Sequence, residues 1–168
     1  MRGRHAPPAA DEVAGWVNLN SFLARIWKAF DRATTAALRL DFHASLALQS
    51  ALEGFSSFSG GRRREEDRKT DGALDCDMAV AAEWIEHAGS AIYWAGYGKD
   101  GGEPADERVI SAGGLYPGPQ GLCEEHWEFW KMRFGEISTG DGVSEDSKAL
   151  ALKSKHTMES LETIVNGY

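Results

Sequence analysis

Three residues in this chain are placed to do chemistry together: Asp41, His126 and Arg133. Asp41 falls between Ala37 and Leu48, beside Ser45, and His126 and Arg133 flank Trp130 and Ile137. Each residue turns ~100° around a helix axis, so these spacings point all three at apolar faces. A carboxylate, an imidazole and a guanidinium gathered in one cleft would move protons or hold an anionic ligand, with Trp127 and Trp130 as apolar walls. The competing reading is a pairing of Asp41 with Arg133 or His126 across the second and fourth helices. A buried polar group without a partner costs roughly 1–3 kcal/mol, so such residues find one another and fix helix register. The pairing is the favoured reading.

The remaining polar and aromatic positions carry less. Asn20 lies between Trp16 and Trp27, where it would satisfy a backbone carbonyl, and Ser154 and Thr157 fall in the last apolar stripe. Glu83 and His87 are four apart and therefore neighbours on one helix surface, but a metal needs a third ligand and none stands at suitable spacing. The two cysteines, Cys76 and Cys123, form no Cys-x-x-Cys pair, which excludes a structural zinc ribbon or finger. No metal and no cofactor is expected. Cys123 would stand at a helix start, where a thiolate is stabilised, yet no base accompanies it and it reads as a packed or capping residue. Of the six tryptophans most belong to core stripes, while Trp94, Tyr97 and Trp127 are the candidate ligand-binding rings. The Gly113 to Pro119 run reads as successive turns, because no Gly-Lys-Ser/Thr follows it.

Residues 1–10 read as a disordered tail and 11–168 as one helical domain. Val13, Trp16, Leu19, Leu23, Ile26, Trp27 and Phe30 recur at three- and four-residue steps, predicting a first helix of about 20 residues. A second helix carries Ala37, Ala44, Leu48, Ala51, Leu52 and Phe55 on one face. The 56–74 stretch, with Arg62 to Lys69 at its centre, is polar and aperiodic and reads as a flexible solvated loop. The third helix, capped by Asp75 or Asp77, is apolar around most of its girth (Met78, Val80, Ala81, Trp84, Ile85, Ala88, Ala91, Ile92) and belongs at the centre. A Gly/Pro-rich loop spans 96–122. A fourth helix runs from Cys123 to Ser138 with Glu124 and Glu125 in its first turn, and a fifth is capped by Ser144. With no alternating pattern and no repeat, the fold class is all-α: a single compact antiparallel bundle of about five helices with two long loops.

The formal charge is −8, which repels nucleic acid and anionic membrane surfaces. No apolar run nears the roughly 20 residues that span a bilayer, and the residues after Met1 lack the apolar core of a signal peptide. With only two cysteines, a cytoplasmic or nuclear setting is expected.

Four strings occur here in one order: Trp16-x-x-Leu19-Asn20-x-Phe22-x-Ala24-Arg25, Ala81-Ala82-x-Trp84-Ile85-x-x-Ala88-Gly89, Gly114-Leu115-Tyr116-x-Gly118, and Trp127-x-Phe129-Trp130-Lys131-x-Arg133-Phe134. Together they resemble an uncharacterised ascomycete-type fungal family, domain of unknown function 3632, over roughly 12–165. The resemblance implies a helical intracellular domain and brings no activity, cofactor or catalytic residue. Cys123 and His126 replace the Ser and Arg usual in that pattern.

No reaction follows from these residues. The leading expectation is a scaffold or protein-interaction module with another protein as partner. The alternative is a small enzyme or ligand-binding domain, its site between the second and fourth helices under the loop 96–121.

Overall fold

A computed structural model describes residues 10–30, 38–56, 61–62, 68, 72–97, 115–118 and 121–166. The expectations placed on the tail before Ala10, on Ala37, on the Tyr97 ring and on most of the 96–121 loop lie outside the described residues.

Five helices make the bundle: α1 (Ala10–Ala29), α2 (Leu40–Glu53), α3 (Ala73–Tyr97), α4 (Glu124–Ser138) and α5 (Glu145–Asn166). The only extended backbone among the described residues is a two-residue antiparallel pair, β1 (Phe55–Ser56) with β2 (Gly61–Arg62). The central position expected for the third helix is observed. α3 packs against α1, α2 and α5, and α4 closes the far side by packing on α5. Along α3, Leu74, Met78, Ala81, Trp84, Ile85, Ala88 and Ile92 are buried.

Local chemistry sets the helix ends. Asp11 and Glu12 open α1 and Lys28 closes it, matching the helix dipole at both ends. Ser144 caps α5: its Oγ accepts the Ser147 backbone N–H at 3.2 Å. α3 starts at Ala73, so Asp75 lies inside its first turn instead of capping it. The Asp75 carboxylate accepts the hydroxyls of Ser144 at 2.7 Å and Ser147 at 2.6 Å, which ties the starts of α3 and α5 together.

Two sequence expectations need correction. A single apolar stripe on α1 would form its buried side, yet that side carries Asn20 and Ala24, with Val17, Leu23 and Trp27 packed beside them. Trp16, Leu19 and Phe30 from that stripe are exposed, as is Phe22. Apolar residues cover more than half of this helix, so their period announces a helix without saying which side meets α3. The selection comes from a polar contact: Asn20 Oδ1 accepts the Trp84 indole N–H at 2.9 Å, while Asn20 Nδ2 donates to the Trp16 carbonyl at 3.0 Å. The second correction concerns the charged run. Arg68 is only 4% exposed, so that member of the supposed solvated loop is a structural residue.

Candidate functional site

The densest polar cluster lies where α2 ends. A helix leaves its last carbonyls without partners, and its C-terminal end favours cations over anions. α2 stops at Glu53 because Gly54 takes the left-handed conformation, φ 73°, that suits glycine. Arg68 donates to the Ser50 carbonyl at 2.5 Å and the Ala51 carbonyl at 3.3 Å, and pairs with Asp77 at 3.0 Å. Arg133 donates Nε to the Leu52 carbonyl at 3.0 Å and pairs with Glu136. Two guanidinium groups thus cap the end of α2.

The Glu53 carboxylate sits at this same end with no exposed surface. Such a group needs donors. His126 Nε2 lies 2.7 Å from Oε1, the Trp130 indole donates to Oε1 at 2.8 Å, and the Tyr116 backbone N–H reaches Oε2 at 3.4 Å. His126 Nδ1 is 2.8 Å from the Gly121 carbonyl. A carbonyl only accepts, so Nδ1 carries a proton, and Nε2 closes on a carboxylate that also takes two N–H donors. Tyr116 stacks on the imidazole at 4.2 Å and 13°, and the Trp130 ring lies 4.0 Å from it. The Tyr116 ring rests on Gly118, where an added Cβ would come within 2.3 Å of the phenol oxygen. Burial, then the neighbouring Cys123, pushes the Tyr116 phenol up to about 12.

The sequence-predicted residues separate. His126 and Arg133 both reach the end of α2, but Asp41 is exposed in the first turn of that helix. Twelve residues of rise put it about 18 Å from Glu53 along the axis, so the expected pairing of Asp41 with His126 or Arg133 does not form. A helical wheel reports direction around the axis and nothing about height along it. The acid that meets His126 is Glu53, which sequence reasoning missed; its one local signal is its place before a helix-stopping glycine. Arg68 gave no signal. Trp127 is buried, with its indole on Glu162 Oε1 at 2.8 Å beside Lys131, so no ligand reaches its face. Trp94 is exposed. Cys123 holds the N-cap position of α4 without a side-chain cap bond, and burial pushes its thiol up, as suits a packed residue.

A general base must turn a nitrogen toward its substrate, and both His126 nitrogens are engaged within a fully buried ring. In this arrangement the cluster ties α2, α4, Tyr116 and Gly121 together and, among the described residues, turns no imidazole nitrogen to solvent. Elsewhere, His87 Nε2 meets Glu83 at 3.2 Å and Arg25 at 3.2 Å. Among the described residues no three His, Cys, Asp or Glu side chains gather to hold a metal, and no helix is long and apolar enough to cross a membrane. A shallow depression lined by Leu152, Lys153, His156, Thr157, Ser160 and Leu161 of α5 is open to solvent.

The other unusual surface is the outer side of α1. Gly15, Leu19, Phe22 and Ile26 follow one another at steps of four, three and four residues, with Trp16 and Phe30 along one edge. Leu19 is 47% exposed, Phe22 61%, Phe30 56% and Trp16 37%. A Cβ added at Gly15 would meet nothing within 4 Å, so the stripe contains a notch.

Residues 2–134 fit a family model described as "Protein of unknown function (DUF3632)", a stretch that ends inside α4 and leaves α5 outside it. No curated protein and no solved structure matches the chain.

Proposed function

We propose that this chain, which belongs to the DUF3632 family of proteins of unknown function, acts as a helical protein-interaction module that docks a partner on the outer side of α1. One observation carries the reading. α1 keeps a second apolar side in water after its first side has been buried on α3. Contiguous exposed apolar surface of this kind is uncommon on a folded chain and marks contact sites. Less supports the alternative, an enzyme or ligand site between α2 and α4, because Asp41 lies at the other end of α2 from His126 and the His126 ring is buried.

The negative charge supports a protein partner over nucleic acid. Neither Cys76 nor Cys123 forms a disulfide, which supports a reducing compartment, cytoplasmic or nuclear, and the resemblance supports a fungal source. The test is capture on immobilised full-length chain beside Phe22→Asp. Phe22 is exposed, so the variant keeps its circular dichroism and melting temperature; it is expected to lose a protein that the parent retains. An identical capture list for the two would overturn the reading.

A further inference from the structure

The spacing of the exposed residues on α1 points to a particular partner. Gly15, Leu19 and Phe22, all exposed, and the half-buried Ile26 alternate four and three residues apart, which is the spacing of a coiled-coil seam. One flank of that seam holds Asp11, Asn18 and Arg25, each seven residues from the next and all exposed. Charge therefore runs from acidic to neutral to basic along a single edge. Flanking charges at these positions choose partner and orientation in paired helices. When two identical helices pack antiparallel, like flanks face each other; in parallel packing each flank faces the partner's opposite flank, and Asp11 does not meet Arg25.

We propose that α1 is a self-association helix, pairing antiparallel with α1 of a second copy of this chain about a two-fold axis near Asn18. The inference rests on the α1 docking surface argued above and names its occupant. In this arrangement Asp11 of each copy faces Arg25 of the other, and the two Asn18 amides meet at the axis. Leu19 of each copy drops over the partner's Gly15, where an added Cβ would meet nothing within 4 Å. Trp16, at the opposite edge, meets Trp16 of the second copy.

The area sets the strength. Large apolar side chains offer about 150–250 Å² each, so the exposed fractions of Trp16, Leu19 and Phe22 amount to roughly 300 Å² per copy. Two copies stay below the ~1,000 Å² of a stable specific interface. A modest interface of this size implies a dimer that exchanges with monomer.

The test is sedimentation of the full chain across about 1–500 µM. The parent is expected to shift from 18.3 kDa to twice that mass as concentration rises. Leu19→Glu is expected to stay monomeric with an unchanged melting temperature. Asp11→Arg is expected to raise the dissociation constant about tenfold, and Asp11→Arg with Arg25→Asp in one chain to restore it, because reversing both ends preserves antiparallel pairing alone. A parent that stays monomeric throughout, or a double variant that is not restored, overturns the proposal. If the monomeric parent still captures a protein that Phe22→Asp loses, self-pairing fails and the interaction-module reading stands; if neither effect occurs, both fail.

Discussion

Replacing Glu53 by glutamine isolates what the buried cluster contributes, because it removes a charge and changes almost no volume. In the parent, Oε1 accepts from both His126 Nε2 and the Trp130 indole. A glutamine has one oxygen and one NH₂ group, and only one can occupy that position. If the oxygen stays, His126 and the Tyr116 N–H lose the carboxylate they share, and the new NH₂ group meets the Tyr116 backbone donor. If the amide turns, the Trp130 N–H meets a donor. Either way at least one buried polar group is unsatisfied, at roughly 1–3 kcal/mol, and loss of one member of a buried ion pair reaches about 3–5 kcal/mol. Against a total stability of about 5–15 kcal/mol this is a large fraction. Urea denaturation followed by circular dichroism is expected to place Glu53→Gln about 3 kcal/mol below the parent. His126→Gln should be similar, and the double variant less destabilised than the sum, with a coupling above about 1 kcal/mol. Single losses below about 0.5 kcal/mol, or additive effects, would refute the claim that this pair locks α2 to α4.

Two further outcomes follow from neighbours of the pair. The Tyr116 phenol titrates near 10 when unfolded and at about 12 in place. The unfolded chain therefore releases this proton first, and stability is intact below pH 10 and falls between pH 10 and 12. The loss approaches roughly 2–3 kcal/mol by pH 12, and Tyr116→Phe is expected to remove that part of the alkaline decline in melting temperature. At the end of α2 two substitutions should have opposite signs: Arg68→Met strips the Ser50 and Ala51 carbonyls of a donor and should cost about 2–4 kcal/mol. Ser50→Ala removes a buried hydroxyl that has no partner and should be neutral or stabilising by up to about 1 kcal/mol, both read from urea midpoints.

Much of the scaffold was legible in the residues. The width of the apolar surface on α3 announced a central helix, and Ser144 with Glu145 and Asp146 announced the start of α5, because caps and periods are local properties. The site was legible only in part. His126 and Arg133 stood out as polar residues on an apolar face, and both do converge on α2. Their acid was misassigned to Asp41 because azimuth was known and axial height was not. Glu53 and Arg68 escaped because each is explained by a contact 73 or 18 positions away in sequence, Glu53 with His126 and Arg68 with the Ser50 carbonyl. The exposed side of α1 escapes a sequence reading for a related reason. A helix apolar around more than half its girth has two candidate inner sides, and the choice rests on Trp84 needing Asn20.

The two long connections of the chain are each fastened partway along to the same helix end, one by Arg68 and the other by Tyr116. The entropy of closing a loop grows only with the logarithm of its length, and halving a segment saves about 0.6 kcal/mol. Each fastening therefore divides one long closure into two shorter ones. Residues added on either side of Arg68 or Tyr116 change one short span and leave the other untouched. Removing a fastening rejoins the two spans, so tolerance to insertion along these connections is set by distance from two side-chain anchors and not by position on the surface.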